Sequence, residues 1–287
     1  MPNTRYGLID AGVNLASTQF HSDIAAVISR ARGAHVEALV AIGTCPESSA
    51  ESVRLARQHP EYVFATAGIH PHNADHFDHA AQQQLLRLVE EPEVVAVGEM
   101  GLDYNRNFSS PANQRKAFIG QLDIAAACQK PVYLHERDAF EAQIDILDNY
   151  RQRLSGGLAH CFTGSKSQLR QYLDLGFYIG ITGWICDPKR GQALREAVSY
   201  VPLDRLLLET DAPYLMPRHI NKKQLAVPQS RRNEPCLLPT IASFVAELLD
   251  CPAATLCKSS VDNTRRLFRL KPPATVSDHP GDDEPAT

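Results

Sequence analysis

The chain has 287 residues, of which 44% are hydrophobic, so it can fill a sizeable core as one large domain or two ordinary ones. Its formal net charge of -4 argues against a broad basic surface that coats duplex DNA by charge alone, but it leaves room for a local basic cleft. No apolar run reaches the roughly 18 residues of a membrane-spanning helix.

Short apolar runs alternate with helical patterns along the whole chain. The predicted strands are Gly7–Asp10, Ala38–Gly43, Val63–Gly68, Val94–Glu99, Val132–His135, Leu158–His160, Tyr178–Thr182 and Leu206–Glu209. The predicted helices are 22–34, 47–58, 79–91, 112–129, 139–150, 166–174, 189–200, 235–250 and 253–268. Eight strand–helix repeats with strands apolar on both faces predict an α/β fold, a (β/α)8 TIM barrel. The alternative is a doubly wound open sheet, although DAGVNL lacks the GxGxxG of that fold.

Two segments lie outside this repeat. Residues 271–287 contain four prolines and four acids. We therefore predict a single catalytic domain over 1–270 and a disordered C-terminal tail over 271–287. Residues 218–232 form a long basic stretch after the eighth strand, and a loop of that length in a compact domain usually has a function.

Ionisable side chains close six of the eight predicted strands. These side chains are Asp10, His70 with His72, Glu99, His135, His160, and Glu209 with Asp211. A barrel builds its active site at the carboxyl ends of its strands, so these residues should meet on one rim. Singly, each is explained as well by a loop, by a helix cap at Asp211 or by an ion pair at Glu209. Together they are costly to bury unless they share a cation, and histidine with carboxylate suits a divalent metal.

Seven motifs resemble, in order and spacing, those of the TatD family of metal-dependent deoxyribonucleases, and the resemblance is closest to the TatD branch. They are GIHPH, VGEMGLDYNRNFS, YLHERDA, AHCFTG, YIGITGW, LLLETDAPYL and RRNEP, within residues 6–268. The resemblance implies a TIM barrel of the metal-dependent hydrolase (amidohydrolase-like) type and Mg²⁺-dependent phosphodiester hydrolysis. For the TatD branch it implies 3′–5′ exonuclease action on single-stranded DNA and RNA ends, in DNA repair or nucleic-acid turnover.

The resemblance also assigns site residues. Glu99, His135 and His160 correspond to metal ligands, and Asp211 to a metal-associated carboxylate that orients or deprotonates the attacking water. His70 corresponds to a second catalytic residue near the scissile phosphate. The carboxylate favours Mg²⁺, and the imidazoles allow Mn²⁺ or Zn²⁺ to compete.

The first strand departs from the family pattern. Most of the family begins with Asp-x-His-x-His, whereas this chain has Gly12 and Asn14 in place of the histidines. Glycine offers no ligand, and an amide oxygen is a weak one. We therefore predict one well-held divalent ion.

Further side chains are predicted to contact nucleic acid. They are Tyr104, Arg137, Lys222, Lys223, Arg231 and Arg232. The tyrosine would stack a terminal base, and the cations would form a rim for phosphates. For Arg137, a salt bridge with Asp103 or Asp138 is an equally good explanation. Trp184 either stacks a base or anchors the core or a loop.

Two other functions are left open. The same metal and acid suit an amidohydrolase-like enzyme acting on a small ester, lactone or amide, or on aminoacyl-tRNA. A non-enzymatic scaffold is the third possibility, although a scaffold has no need of this cluster. The start MPNTRYGLID has no signal-peptide core, and the seven cysteines form no CxxC pair. We expect a cytoplasmic monomer with reduced thiols and no membrane contact.

Overall fold

The computed structural model describes residues 6–218, 227 and 232–271. Eight parallel strands form one sheet in chain order. They are β1 Leu8–Val13, β2 Val36–Ala41, β3 Val63–Ala67, β4 Val94–Asp103, β5 Val132–Arg137, β6 Gly157–Ala159, β7 Tyr178–Ile181 and β8 Leu206–Leu208. Every predicted strand is present, and the largest difference is at β4, which continues past Glu99 because it stays paired with β5 as far as Asp103 and Arg137.

Helices connect the strands and pack their apolar faces on the sheet. They are α1 Ile24–Gly33, α2 Pro46–Gln58, α3 His79–Glu90, α4 Pro111–Cys128, α5 Phe140–Tyr150, α6 Lys166–Asp174, α7 Gln192–Val198, α8 Leu238–Leu248 and α9 Ala253–Phe268. The helix predicted at 189–200 is shorter than expected. The Asp187 carboxylate accepts hydrogen bonds from the amides of Lys189 and Arg190, both at 3.0 Å, and so forms a turn before α7.

Helix starts follow the local sequence. Ser110 precedes Pro111, and its hydroxyl accepts a hydrogen bond from the amide of Asn113, at 3.2 Å. At α6, the hydroxyl of Ser165 and the side chain of Gln168 form a capping box. Such caps satisfy amides that have no partner inside the helix, which is worth about 1 kcal/mol each.

Main-chain hydrogen bonds join the ends of β8 and β1. The Asp211 amide donates to the Gly12 carbonyl at 2.9 Å, and the Asn14 amide donates to the Ala212 carbonyl at 2.8 Å. The sheet is thereby nearly closed. The (β/α)8 TIM barrel is confirmed, and the doubly wound open sheet is excluded.

The strands are buried on both faces. One apolar cluster lies between strands and helices, and a second includes alternate strand residues such as Ile9, Val40, Leu158 and Leu207. Tyr133 of β5 belongs to the second cluster and has 0% exposure. Its hydroxyl is a polar group in an otherwise apolar interior.

The seven cysteines, all within the described ranges, are free thiols. No single helix in those ranges has the length and hydropathy to cross a membrane. The segments Pro235–Leu248 and Ala253–Phe268 would have sufficient length and hydropathy only as a pair, and the chain bends by 116° between them. Nearly all of the predicted tail, residues 272–287, lies outside the described residues.

Candidate metal centre

Two glycines allow β4 to approach β5 closely where the site begins. Gly98 and Gly101 have φ angles of +140° and +144°. A Cβ atom on either would overlap the carbonyl oxygen of Tyr133 or of His135. Only glycine fits that approach, which accounts for the two glycines of VGEMG. The result is that Glu99 of β4 and His135 of β5 lie side by side.

Glu99 and His135 form the centre of a chain of hydrogen bonds. His135 Nδ1 lies 3.0 Å from Glu99 Oε1, and His135 Nε2 lies 3.3 Å from Asp103 Oδ2. His72 Nε2 lies 2.8 Å from the same Asp103 oxygen. Burial disfavours a charged imidazole, but the two carboxylates outweigh it and raise the pKa of His135 to about 9.

The Glu99 carboxylate is buried yet remains ionised. Burial alone would raise its pKa, but the neighbouring His70 and His135 rings lower it below the usual range. A buried anion of this kind, next to an imidazole that shares a proton with it, can exchange that proton for a metal cation.

The His70 ring lies beside the same Glu99 carboxylate. Its Nδ1 accepts a hydrogen bond from the His72 amide at 3.0 Å, so the neutral ring carries its proton on Nε2, which lies 3.6 Å from Glu99 Oε1. Burial lowers the pKa of His70 to about 3, which keeps the ring neutral near pH 7. One ligand atom from each of His70, Glu99 and His135 lies within 4.8 Å of the others.

His160 follows β6 and is held from behind. Its Nδ1 lies 2.8 Å from Glu209 Oε2 and 2.8 Å from the Tyr133 hydroxyl, while its Nε2 lies 3.6 Å from Asp211 Oδ1. A carboxylate only accepts hydrogen bonds, so Nδ1 carries a proton. Burial disfavours the charged ring, but Glu209 and Asp211 outweigh it and raise the pKa of His160 well above the usual range.

Asp211 lies after β8 with its backbone in the left-handed region, at a φ of 54°. Its Oδ1 accepts a hydrogen bond of 2.8 Å from the Asn14 side-chain amide. Burial raises the pKa of the Asp211 carboxyl, and the charge of His160 offsets this only in part. Backbone strain of this kind is concentrated at functional sites, and a raised carboxyl pKa suits a general base.

The other residues of LLLETDAPYL have partners inside the barrel. The hydroxyl and amide of Thr210 donate to the Asp10 carboxylate at 2.5 Å and 2.8 Å. Burial raises the pKa of Asp10 to about 7. Asn233 donates to the Thr210 carbonyl at 2.9 Å, so the RRNEP motif supports the same turn. Glu209 and Thr210 therefore connect β8 to neighbouring strands, and Asp211 is the acid of this motif that lines the cavity.

The cluster opens into a cavity of about 1200 Å³, which Tyr104 and Arg137 also line. Arg137 is exposed and forms no ion pair within residues 6–218, 227 and 232–271. Asp103 and Asp138, its alternative partners, contact other residues instead. The Tyr104 hydroxyl accepts a hydrogen bond of 3.0 Å from Arg115 Nε, which holds the ring at the edge of the cavity.

Trp184 also lines the cavity, but its indole N–H and one face of its ring already contact Arg190. Its indole N–H donates to the Arg190 carbonyl at 3.2 Å, and the Arg190 guanidinium lies 4.2 Å from the ring centroid. Trp184 is thus a loop anchor with one face covered by a cation.

Arg232 requires a correction. It was predicted to contact substrate, but it is 2% exposed, and its guanidinium pairs with Asp23 and Glu234, both at 2.7 Å. Glu234 is also paired with Arg30, at 2.7 Å. The positive charge of Arg232 is therefore used inside the protein, beside α1, and does not line the cavity. Arg231, Lys222 and Lys223 lie outside the described residues.

Several functional contacts were missed by the sequence interpretation. Asp103 was considered only as a partner of Arg137, yet it orients two histidines. Asn14 was regarded as a poor ligand, and it holds Asp211 instead. Tyr133 gave no signal, because an aromatic residue in a buried strand is usually core. His72 was recognisable in GIHPH, and its partner Asp103 could have been found in GLDY of the next strand.

The donor set fits a divalent ion. Glu99 supplies a buried ionised oxygen, His135 Nδ1 faces it at 3.0 Å, and Asp103 holds the other nitrogen of that ring. A carboxylate behind a ligating imidazole is the usual support for such a ligand. The histidine and carboxylate atoms predicted as ligands therefore lie around one cavity, with His160 and Asp211 joined to each other at 3.6 Å.

The profile described as TatD related DNase matches residues 9–269. The chain belongs to the TatD related DNase family. The resemblance expected from the seven motifs is confirmed, and it extends over nearly the whole described chain.

Relatives of this TatD family member agree with that assignment. Proteins named 3′-5′ ssDNA/RNA exonuclease TatD from Erwinia tasmaniensis and Edwardsiella piscicida are 49% and 48% identical, over 92% of this chain and 100% of theirs. Among solved structures, the TatD homologue YjjV of Escherichia coli K12 has a TM-score of 0.83 and 28% identity, covering 92% of this chain and 98% of its own. A TatD family hydrolase of Entamoeba histolytica, at 23% identity and a TM-score of 0.81 over 93% of this chain and 99% of its own, shows the shared fold alone.

Proposed function

We propose that this TatD family member is a divalent-metal-dependent 3′–5′ exonuclease acting on single-stranded DNA and RNA ends. The observation that carries the proposal is the contact of 3.0 Å between buried Glu99 and half-buried His135, in an open cavity also lined by His160 and Asp211. Two relatives named for that activity match 92% of the chain at 49% and 48% identity, which supports the substrate class.

Glu99, His135 through Nδ1 and His160 through Nε2 would hold the ion. A divalent ion held there supplies positive charge to a phosphoryl oxygen and lowers the pKa of water. Asp103 and Glu209 keep the two imidazoles oriented, since each accepts the hydrogen of the nitrogen that does not face the cavity.

The remaining side chains suit the other requirements of phosphodiester hydrolysis. Asp211, with a carboxyl pKa raised by burial, would accept the proton of the attacking water. His70 would donate its Nε2 hydrogen to a phosphate oxygen, because its Nδ1 is already engaged by the His72 amide. Arg137, exposed and unpaired among the described residues, would meet the next phosphate. Tyr104 would stack the terminal base.

Finer assignments belong to the same proposal. Mg²⁺ is the expected physiological ion because Glu99 and Asp211 offer hard oxygen ligands, with Mn²⁺ or Zn²⁺ as substitutes. The protein would act as a cytoplasmic monomer in DNA repair or nucleic-acid turnover, as one catalytic unit over 1–270 with a tail at 271–287. Arg231 would add a cation near the phosphates.

The test uses a labelled single-stranded oligonucleotide, purified protein and either Mg²⁺ or a chelator. The wild type should shorten the strand only with the metal. The Glu99→Gln variant should bind the ion weakly and lose activity, while Asp78→Asn, which changes an exposed helix cap, should behave as wild type. Shortening in the chelator would contradict a metal mechanism. Hydrolysis of lactones or amides without any nuclease activity would favour the amidohydrolase alternative.

A further inference from the structure

The hydroxyl of Tyr133 lies at the bottom of the site and contacts three strands or strand ends. It lies 3.2 Å from the Ala11 carbonyl of β1, 2.8 Å from His160 Nδ1 and 3.2 Å from Glu209 Oε1. Tyr133 is 0% exposed, and it is surrounded otherwise by apolar side chains. A buried hydroxyl with three polar neighbours holds those neighbours in fixed positions.

The hydrogens of this group can be assigned by counting donors and acceptors. His160 Nδ1 and Glu209 Oε2 approach to 2.8 Å, and two acceptors would repel each other there, so Nδ1 must carry the hydrogen. The Nδ1–H group of His160 then donates a hydrogen bond that is shared between Glu209 Oε2 and the Tyr133 oxygen. The hydrogen of the Tyr133 hydroxyl is donated to Glu209 Oε1 or to the Ala11 carbonyl. The remaining Glu209 oxygen lone pair accepts from the Cys161 amide at 3.0 Å.

When His160 carries a single proton, this network keeps that proton on Nδ1, so the Nε2 lone pair faces the cavity. The alternative tautomer, with hydrogen on Nε2, would place a donor where a metal ligand is needed. The Tyr133 hydroxyl and Glu209 therefore select the ring state of His160 that can hold a cation.

Gly12 shows that the same hydroxyl also fills space. A Cβ atom at position 12 would overlap the Tyr133 oxygen and would lie 3.3 Å from His160 Nδ1 and 3.4 Å from Glu209 Oε1. Any side chain at this position of β1 would thus point between His160 and Glu209. Tyr133 occupies the volume through which β1 could otherwise supply a ligand.

We propose that Tyr133 is a positioning residue that fixes His160 for metal binding and that its hydroxyl fills the space next to Gly12. The inference rests on the proposed metal centre. It adds a residue that touches neither substrate nor ion and that acts through His160.

The test is titration of metal-free protein with Mn²⁺ by calorimetry. Tyr133→Phe should keep one ion per chain but weaken its binding by roughly 10–100-fold, the usual effect of removing a supporting hydrogen bond. The matched control is Tyr172→Phe, which removes another buried hydroxyl that accepts a hydrogen bond of 3.1 Å from Gln143. Tyr172→Phe should bind Mn²⁺ as wild type does. Equal affinity in both variants would overturn the positioning role.

A second readout does not depend on metal. The metal-free wild type and Tyr172→Phe should show a protected imidazole N–H proton from His160 in NMR spectra of ¹⁵N-histidine protein, and Tyr133→Phe should lose it or shift it. An unchanged signal in Tyr133→Phe would also overturn the assignment.

A stability cycle tests the space-filling role even if Tyr133→Phe folds poorly. Gly12→Ala should lower the thermal midpoint, and Gly12→Ala with Tyr133→Phe should regain part of the loss, because the overlapping oxygen is gone. A double variant no more stable than Gly12→Ala would overturn this part. If the wild type itself binds no Mn²⁺, the proposed function fails, whereas the cycle still decides the packing of Tyr133 on Gly12.

Discussion

The side-chain amide of Asn14 donates a hydrogen bond of 2.8 Å to Oδ1 of Asp211, so the end of β1 holds the carboxylate that follows β8. A donor of this kind stabilises the ionised carboxylate and fixes its direction. Asn14 stands where a metal ligand was expected from the family pattern, and its contact gives it a different task.

Replacing Asn14 by alanine should raise the pKa of Asp211 further, because the charged form loses a donor. The acidic limb of the pH–rate profile should move to higher pH, with activity reduced near pH 7 and partly regained in alkali. Asn73→Ala is the control, since Asn73 lines the same cavity but donates to the Thr44 carbonyl. If the acidic limb stays in place in Asn14→Ala, the general base whose pKa sets that limb is not Asp211.

Asp211→Asn should abolish catalysis far more than folding. Asparagine tolerates the left-handed φ of 54° and has nearly the same size, so the turn should persist. Loss of a general base costs ~10²–10⁴-fold in rate. Turnover on single-stranded DNA, compared with Asp78→Asn, measures the effect. Wild-type turnover in Asp211→Asn would mean that this acid serves the turn alone.

Metal affinity should depend on pH through His135. The ring is held protonated between Glu99 and Asp103 until about pH 9, and a cation must displace that proton from Nδ1. Between pH 6.5 and 9 the apparent affinity should therefore rise with pH, by about tenfold per pH unit for each imidazole proton displaced, with release of at least one proton. Calorimetry in buffers of different ionisation enthalpy measures both. A pH-independent affinity without proton release would exclude His135 Nδ1 as a ligand.

The same shift has a consequence for the metal-free fold. The native state binds more protons than the unfolded chain between the ordinary histidine pKa and about 9, so the contribution of His135 to stability is complete below that window and is lost as pH rises through it. Bound metal should remove this dependence, because the ring is then held without its proton.

Arg232→Ala should destabilise the protein by roughly 1–3 kcal/mol, because the fully buried Glu234 carboxylate loses one of its two cationic partners and keeps only Arg30. Per folded molecule, KM and its salt dependence should stay as in wild type. The control is Arg265→Ala, which breaks a surface pair with Glu37 and should cost at most about 1 kcal/mol. If Arg232→Ala raises KM and leaves stability unchanged, Arg232 contacts substrate after all.

The barrel and its rim were predictable because strand patterns and strand-end residues are local signals. Each of Glu99, His135 and His160 ends a short run of apolar residues. That run is enough to predict both the strand and the place where it ends. The boundary of β4 was not predictable, since continuation past Glu99 depends on two glycines that fit against β5.

Contacts that depend on the three-dimensional arrangement were beyond the sequence. Gly12 was interpreted as a lost ligand, but it makes room for a tyrosine hydroxyl from β5. In the sequence, Arg232 looks like part of a basic surface loop. Only the fold shows that Asp23, just before α1, neutralises the positive charge of Arg232. The direction of such side chains is set by partners some 200 positions away.

Exonuclease action at this centre is tested most directly by comparing three substrates with Mg²⁺: single-stranded DNA labelled at its 5′ end, the same strand with a blocked 3′ end, and a closed single-stranded circle. A cavity that holds one strand end predicts a ladder of progressively shorter 5′-labelled products from the open strand, little change in the blocked strand and an intact circle. Equal cutting of circle and open strand, or release of the 5′ label as the first product, would contradict 3′–5′ exonuclease action at this centre.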